Sequence, residues 1–288
     1  GLSVCLAEKE DLGAKTSSGS TKLLHGGLRY LEHYAFNLVR NSLIEREVLW
    51  SIAPHIIYPL RFVLPHHRGL RPSALLRLGL FIYDHLGGRK NLSKSRKIFF
   101  ASEEVGKPLR SEFKIGFEYS DCWVDDARLV LMNARDAAEK GAKILPRHQV
   151  TSARRENGLW VIETRDHNSK KHQFRARILV NAAGPWVSQL TDSVIGGAVR
   201  RNMRLIRGSH IVVPKLYTHD RCYLLQNSDG RIVFVIPYEG DFSLIGTTDR
   251  EHQESLDEIN IDKGEAEYLC RSVNQYFKTS ISTKDVVW

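Results

Sequence analysis

The chain has 288 residues, of which 42% are hydrophobic and 26% charged, and its formal net charge is +9. This length suffices for about two domains with a sizeable buried core, and the longest charge-free apolar stretches, such as residues 48–60, are too short and too polar to span a bilayer. The four cysteines lie far apart, at Cys5, Cys122, Cys222 and Cys270. That spacing argues against a zinc motif or a disulfide framework and favours a reducing compartment.

The first predicted element is a strand over residues 2–7, an apolar run that ends at Glu8. A continuous apolar run of this length is typical of a buried parallel strand. In dinucleotide-binding folds, an acid at the carboxyl end of such a strand accepts hydrogen bonds from ribose hydroxyls. The glycine fingerprint that normally lies about 20 residues before this acid would precede Gly1, so we expect the chain to start inside a domain.

Residues 16–30 have the composition of a ligand-binding loop. They combine several hydroxyls with Lys22, His25, paired glycines and Arg29. Hydroxyls and backbone amides can bind a pyrophosphate, glycines let the backbone approach a flat ring closely, and a planar guanidinium can bind an anion.

Helical periodicity follows over residues 37–51 and again over 124–141, where an acid lies near the start and Gly141 lies past the end. Short alternating runs then predict strands, two of them joined by an Asn157-Gly158 turn. These strands cover residues 143–145, 150–155, 160–164 and 178–181, and the last one would return the chain to its first domain. A second series predicts an antiparallel sheet over residues 210–213, 223–226, 232–237 and 243–246. Two interleaved domains fit this order better than two consecutive ones, with substrate bound between them.

Residues 61–97 hold most of the positive charge. The segment contains nine basic residues and one acidic residue, Asp84, so its net charge is +8, compared with +9 for the whole chain. Leucines and aromatic residues lie between the bases, which suits an anionic membrane surface. A core helix with a solvated basic rim explains the same pattern equally well. Nucleic acid is not expected as a partner, because no recognisable nucleic-acid-binding module accompanies the charge.

Five motifs occur in order along the chain, in residues 17–32, 117–128, 181–186, 208–214 and 245–249. Together they resemble the bacterial FAD-dependent, quinone-linked glycerol-3-phosphate dehydrogenases, which belong to the amino-acid oxidase-like FAD-dependent oxidoreductases. The resemblance runs over the whole chain. By comparison with the family, the chain lacks the N-terminal glycine-rich loop and a C-terminal part.

The resemblance implies an α/β and α+β fold, in which a Rossmann-like FAD-binding domain is interleaved with an antiparallel-sheet substrate domain. Residues 1–45 and 116–200 would form the FAD-binding domain. Residues 46–115 would form a helical, basic insertion and the start of the substrate domain, and residues 201–288 the rest of that domain.

The activity implied by the resemblance is oxidation of sn-glycerol 3-phosphate to dihydroxyacetone phosphate by hydride transfer to FAD. Electrons would pass to a membrane quinone, ubiquinone or menaquinone, from a peripheral position on the inner face of the cytoplasmic membrane, and a homodimer is compatible with this picture. Two alternatives stay open. One is a related oxidase that passes electrons to oxygen, and the other is a non-catalytic basic module that binds membrane or nucleic acid.

The same resemblance assigns roles to individual residues. His25 would be the base or a hydrogen-bonding residue beside the reacting carbon, because neutral imidazole can accept a proton near neutral pH, and His210 would be a second catalytic histidine. Substrate would be bound by Arg29 and Tyr30 at its phosphate and by His210. No metal is expected. FAD would contact Glu8, Thr16, Ser17, Ser20, Lys22, Leu24, His25, Gly27, Leu28, Val150, Gly184 and Trp186.

Simpler explanations exist for three of these residues. His25 could merely pack against the flavin or bond a backbone carbonyl. Arg29 could form an ordinary surface ion pair of little energetic consequence, and Gly184 could be a turn glycine before Pro185.

Overall fold

The computed structural model describes residues 2–67, 69–88, 91–196, 203–253, 255–256 and 259–288. Three members of the basic segment, Arg68, Arg89 and Lys90, lie outside the described residues. The chain forms two compact units, each assembled from three separate stretches. The first unit comprises Gly1–Ser20, Asp125–Leu205 and His252–Ile259, and the second comprises Thr21–Val124, Ile206–Glu251 and Asn260–Trp288. Residues 21–45 and 116–124 lie in the second unit. The assignment of residues 1–45 and 116–200 to the FAD-binding domain stays a prediction.

In the described residues, the strands are β1 Cys5–Ala7, β2 Leu23–Leu24, β3 Ile57–His66, β4 Arg96–Phe99, β5 Ile115–Val124, β6 Lys143–Leu145, β7 His148–Glu156, β8 Leu159–Asp166, β9 Lys171–Ala176, β10 Ile206–Arg207, β11 His210–Pro214, β12 Cys222–Gln226, β13 Ile232–Tyr238, β14 Phe242–Gly246 and β15 Arg250–Glu251. The helices are α1 Phe36–Ile52, α2 Ser73–Leu86, α3 Asp126–Glu139, α4 Val187–Leu190 and α5 Lys263–Tyr276. Short 3-10 turns span Leu28–His33, Glu104–Gly106, Gly184–Trp186 and Thr283–Asp285, and a π-helical turn spans Thr191–Ile195.

The first unit contains a parallel pair, β1 with β6, and an antiparallel sheet of β7, β8 and β9. Its helix α3 begins where the sequence predicts, because the Asp125 carboxylate accepts a hydrogen bond from the Arg128 amide at 3.0 Å and so caps the helix. The predicted turn between β7 and β8 is also confirmed. Asn157 and Gly158 both adopt positive φ, 49° and 79°, as a tight hairpin turn requires.

Two expectations of burial for the first unit are wrong. Residues 2–7 were expected to form a buried parallel strand. The parallel strand is confirmed as β1, which pairs with β6, but Leu2 and Leu6 are exposed. Residues 178–181 form no strand, and the side chains of Ile178 and Val180 are 75% and 76% exposed. Both runs are apolar, but apolar character alone does not provide the neighbouring strand that burial requires.

The second unit is built on one large sheet, whose strands follow the order β11-β14-β13-β12-β3-β5-β2, with β4 also paired to β5. The predicted antiparallel strands over residues 210–246 are confirmed as β11 to β14. The sequence analysis missed β3 and β5, which pair over ten positions. Two prolines in β3 and the acids Glu118 and Asp121 in β5 hide the strand pattern, since strands are normally poor in both residue types.

Two apolar clusters cover the two faces of this sheet. Because successive side chains of a strand point to opposite faces, Phe62 packs in the cluster that includes Val39 and Leu43 of α1, whereas Val63 packs in the cluster that includes Leu269 of α5. Helices thus cover both faces of the sheet. Charged side chains on its buried strands therefore need partners of opposite charge within the protein.

Glu118 is the most heavily paired acid of the sheet. Its buried carboxylate accepts from Arg61 at 2.8 Å, from Arg96 at 2.7 Å and from Arg221 at 2.7 Å. Burial alone would raise the pKa of Glu118, but the hydrogen bonds and charges of the arginines lower it to about 2. Arg61 and Arg96 therefore join neighbouring strands of the sheet through Glu118. A membrane contact of the basic segment stays a prediction.

We expect Glu118→Gln to lower the free energy of unfolding at neutral pH by about 2 kcal/mol, because it leaves three arginines without their shared anion. The pKa of Glu118 is depressed in the folded state, so this stabilisation is present above about pH 4.5 and is lost as the pH falls toward about 2. Urea unfolding of the complete protein across this pH range measures both effects.

Glu103→Gln is the matched control, since Glu103 pairs with Arg96 at a partly exposed site and its loss should cost less than about 1 kcal/mol. Equal effects of the two substitutions, or an unchanged pH slope in Glu118→Gln, would contradict the assignment.

Candidate functional site

The glycine pair after β2 forms a buried loop whose backbone is held by side chains. The Gly26 amide donates to the Tyr83 hydroxyl at 2.7 Å and lies 3.3 Å from Asp121 Oδ1. A Cβ atom on Gly26 would overlap the Leu43 side chain, so only glycine allows this approach. Gly27 is in the left-handed region, with φ of 72°, which glycine adopts at little cost.

Asp121 of β5 lies at the centre of the interactions that hold this loop. Its buried carboxylate accepts from Arg46 of α1 at 2.5 Å and from the Tyr83 hydroxyl of α2 at 2.8 Å. Burial raises the pKa of Asp121, and the positive charge of Arg46 limits the rise. Burial also raises the pKa of Tyr83, so its hydroxyl keeps the proton that it donates to Asp121.

Asp121, Tyr83 and Arg46 are site residues that the sequence analysis missed. The available signal was Asp121 itself, an acid inside the motif of residues 117–128. Tyr83 and Arg46 give no such signal, because only the fold brings α1 and α2 to the same carboxylate.

His25 protrudes from this loop and is exposed. Its Nδ1 accepts a hydrogen bond from the Gly27 amide at 3.0 Å. An amide can only donate, so the neutral ring carries its proton on Nε2 and offers a donor there. The geometry therefore favours His25 as a hydrogen-bond donor.

His210 begins β11 and lies opposite Gly246 of β14. A Cβ atom on Gly246 would overlap the His210 imidazole, so the ring lies against bare backbone. His210 Nε2 is 3.0 Å from the Thr21 hydroxyl. The second unit therefore brings the segment of His25, through Thr21, to the second predicted catalytic histidine.

The residues beside His210 lock its position. The Ser209 amide donates to the Thr248 hydroxyl at 2.8 Å, and that hydroxyl donates to Glu265 at 2.7 Å. A Cβ atom on Gly208 would overlap Thr247. The motifs of residues 208–214 and 245–249 thus pack directly on each other.

The predicted phosphate ligands follow the glycine loop on the Leu28–His33 turn. Arg29 and Tyr30 are both exposed. Within the described part of the chain, Arg29 forms no ion pair, and its role as a phosphate ligand stays a prediction. Of the flavin residues predicted in this unit, Leu24 and Leu28 are half-buried, and Lys22 has a positive φ of 57°.

In the first unit, several predicted flavin residues gather around the end of β1. The Glu8 carbonyl accepts from the His148 amide, at the start of the strand that carries Val150, at 2.7 Å. The ammonium of Lys9, next in the chain, lies 5.3 Å from the centre of the Trp186 ring. Glu8, Val150 and Trp186 are therefore neighbours, and Gly184 lies two residues before Trp186.

This cluster fits the adenosine part of a dinucleotide. One carboxylate oxygen of Glu8 accepts from the Glu10 amide at 2.9 Å, and the other has no protein partner in the described residues. The indole nitrogen of Trp186 is buried and also lacks a partner in that set. Gly184 has a φ of 54° and open space where a Cβ atom would lie, which permits close approach of a ligand. One acceptor and one donor are thus left for a polar ligand.

The hydroxyl residues of this unit are less closely grouped. Thr16 and Ser17 lie exposed in a turn region. The Ser20 hydroxyl donates to the buried Asp126 carboxylate at 2.7 Å and so helps to fix the start of α3.

Comparison with known proteins identifies relatives of the whole chain. Residues 1–288 match the family model described as DAO, FAD dependent oxidoreductase. The chain is 54% identical to D-erythritol 1-phosphate dehydrogenase of Brucella abortus and 53% identical to the aerobic glycerol-3-phosphate dehydrogenase of Escherichia coli. Both alignments cover 100% of this chain and 57% of the relative, so the chain spans little more than half the length of these proteins.

Solved structures agree with this assignment. The glycerol-3-phosphate dehydrogenase from Bacillus halodurans complexed with FAD has a TM-score of 0.75 at 26% identity, over 99% of this chain and 50% of that one. The L-alpha-glycerophosphate oxidase from Mycoplasma pneumoniae with FAD bound has a TM-score of 0.71 at 18% identity, over 99% and 74%, and shows the fold alone. The predicted fold class, the FAD cofactor and the resemblance itself are confirmed.

We expect Tyr83→Phe to loosen the glycine loop, because it removes both the acceptor of the Gly26 amide and a donor to the buried Asp121. The free energy of unfolding should fall by about 1–3 kcal/mol, and hydrogen exchange measured by mass spectrometry should become faster at residues 25–27. Tyr34→Phe, at an exposed tyrosine, is the control and should change neither quantity. Unchanged exchange at residues 25–27 in Tyr83→Phe would show that the network does not hold the loop.

Proposed function

Because this chain belongs to the FAD dependent oxidoreductase family, we propose that the protein oxidises sn-glycerol 3-phosphate to dihydroxyacetone phosphate. The observation that carries this proposal is its identity to the glycerol-3-phosphate dehydrogenase of Escherichia coli along the whole chain. D-erythritol 1-phosphate is the second candidate substrate, because the dehydrogenase named for it is equally similar. Both compounds are phosphorylated polyols, so the same groups could bind either.

The substrate phosphate is assigned to Arg29 and Tyr30. The planar guanidinium can bind two phosphate oxygens at once, and the tyrosine hydroxyl adds a third donor. Their exposure on a short turn next to the rigid glycine loop supports the assignment, since an anchored donor loses little conformational freedom on binding.

The two histidines, His25 and His210, have different roles at the reacting alcohol in this proposal. His25 donates from Nε2 to the substrate oxygen, because its Nδ1 is occupied by the Gly27 amide. His210 is then the candidate base for the hydroxyl proton, and Gly246 and the Ser209–Thr248 contact hold it in place. FAD, when bound, supplies the hydride acceptor that no side chain provides. Glu8 and Trp186 are the residues whose unpaired polar atoms would hold its adenosine part.

The proposed electron acceptor is a membrane quinone, reached from a peripheral position on the inner face of the cytoplasmic membrane. No helix among the described residues is both long and apolar enough to cross a membrane. Helix α2 exposes Leu75, Leu78 and Phe81, which we term the α2 stripe, and Arg77 beside it is exposed as well. Apolar side chains with a neighbouring base suit an anionic lipid surface. A homodimer stays a prediction.

Anaerobic addition of sn-glycerol 3-phosphate to the complete protein should bleach its flavin absorbance. In Arg29→Lys the charge remains but the two-pronged contact is lost, so kcat/KM for this substrate should fall about tenfold. Glycerol, which has no phosphate, should be a poor substrate for both forms. Stopped-flow absorbance and steady-state rates measure these effects.

Arg40→Lys, at an exposed arginine of α1, is the matched control and should behave as the parent protein. Equal relative losses for glycerol and glycerol 3-phosphate would remove the phosphate role from Arg29. Faster bleaching by D-erythritol 1-phosphate would reassign the substrate, and formation of hydrogen peroxide in place of quinone reduction would favour the oxidase alternative.

Replacing the three apolar residues of the α2 stripe with glutamine should release the complete protein from anionic vesicles. Each of these side chains contributes up to about 1.5–3 kcal/mol when fully buried, so the partition coefficient should fall at least about tenfold. Quinone reduction should slow while reduction of a soluble dye stays near normal. Leu131→Gln, at an exposed leucine of α3, is the control, and unchanged vesicle binding in the triple variant would move the membrane contact elsewhere.

A further inference from the structure

Three potential metal ligands share one face of the β7–β8–β9 sheet. His148 lies directly opposite Asp166, and His172 lies opposite Thr164, two residues before Asp166. Since side chains alternate along a strand, this register directs all three toward the same face. One ligand atom from each residue lies within 4.8 Å of the others, which is close enough for one ion to contact all three.

Hydrogen bonds already orient His148 and Asp166 as metal ligands. His148 Nδ1 is 2.8 Å from the Pro146 carbonyl. A carbonyl only accepts, so Nδ1 carries the proton and Nε2 keeps the lone pair that binds a metal. Asp166 Oδ1 accepts from the amides of Asn168 at 2.9 Å and Lys170 at 3.0 Å. Its Oδ2 remains directed at His172 Nε2, at 2.9 Å.

A buried hydroxyl beside the cluster points independently to a missing ligand. Thr164 is 1% exposed, and its Oγ1 has no hydrogen-bond partner within the described parts of the chain. It faces the same side of the sheet as the cluster, in register with His172. Buried hydroxyls are normally paired, and a water molecule bound to a metal would supply the partner.

We propose that His148, Asp166 and His172 bind one divalent transition-metal ion of the zinc type, with water completing the coordination and contacting Thr164. Two imidazole nitrogens and one carboxylate oxygen favour Zn²⁺, Ni²⁺ or Cu²⁺ over Mg²⁺ and Ca²⁺, which prefer oxygen ligands throughout. The ion takes the place of the proton between His172 Nε2 and Asp166. It would link all three strands of the sheet.

Zinc titration of the complete protein, first stripped with a chelator, tests this site. Competition with a fluorescent zinc indicator should reveal a saturable site that His148→Ala and His172→Ala each weaken at least about tenfold, since even outer partners of metal ligands cost about 10–100-fold in affinity. Zn²⁺ should also raise the melting temperature of the parent protein but not of these variants. Co²⁺ in place of Zn²⁺ should give visible absorption bands.

His167→Ala is the matched control, because His167 is exposed in the same β8–β9 turn and lies outside the three-residue cluster. Asp166→Asn keeps an oxygen for the two turn amides but removes the charge. This variant should therefore fold as the parent does and bind zinc more weakly. Equal zinc affinity in the parent and in His148→Ala, or an equal loss in His167→Ala, would overturn the site. Absence of any saturable zinc binding would overturn it as well.

Discussion

The second unit depends on one buried carboxylate. Asp121 cannot remain ionised in an apolar environment unless opposite charge and donors surround it, and Arg46, Tyr83 and the Gly26 amide provide them. These partners come from α1, α2 and the loop after β2. The requirement of a single charge therefore fixes two helices and the glycine loop against β5, and the position of His25 follows from that arrangement.

Local signals in the sequence predicted much of the fold. The acid at the start of α3, the Asn157-Gly158 turn and the alternation in β11 to β14 depend on neighbouring residues, and each was predicted correctly. The structure identifies Asp125 as the acid that caps α3. Residues 2–7 contain the predicted parallel strand but are not buried, and residues 178–181 form no strand. Both differences arise because burial depends on what packs against a strand. Strands β3 and β5 were missed for the opposite reason, since the charge of Glu118 is compensated by arginines far away in sequence.

Sequence reasoning likewise predicted some residues of the candidate site and missed others. Motifs pointed to His25, Arg29 and His210, because each lies among glycines or hydroxyls that suit a ligand. Nothing in the sequence indicated that Gly27 would fix the tautomer of His25, since this depends on a backbone angle. The partners of Asp121 were also beyond sequence reasoning, because Tyr83 precedes it by 38 positions and Arg46 by 75.

The contact between His210 and Gly246 limits how this part of the molecule can evolve. Any side chain at position 246 would occupy the volume of the imidazole ring, so even alanine would displace His210 from the Thr21 hydroxyl. Selection would then keep glycine at position 246 because glycine leaves space for the His210 ring. Gly246 itself has no side chain that could react. A descendant of this chain could acquire a larger residue there only after the proposed role of His210 had passed to a different side chain.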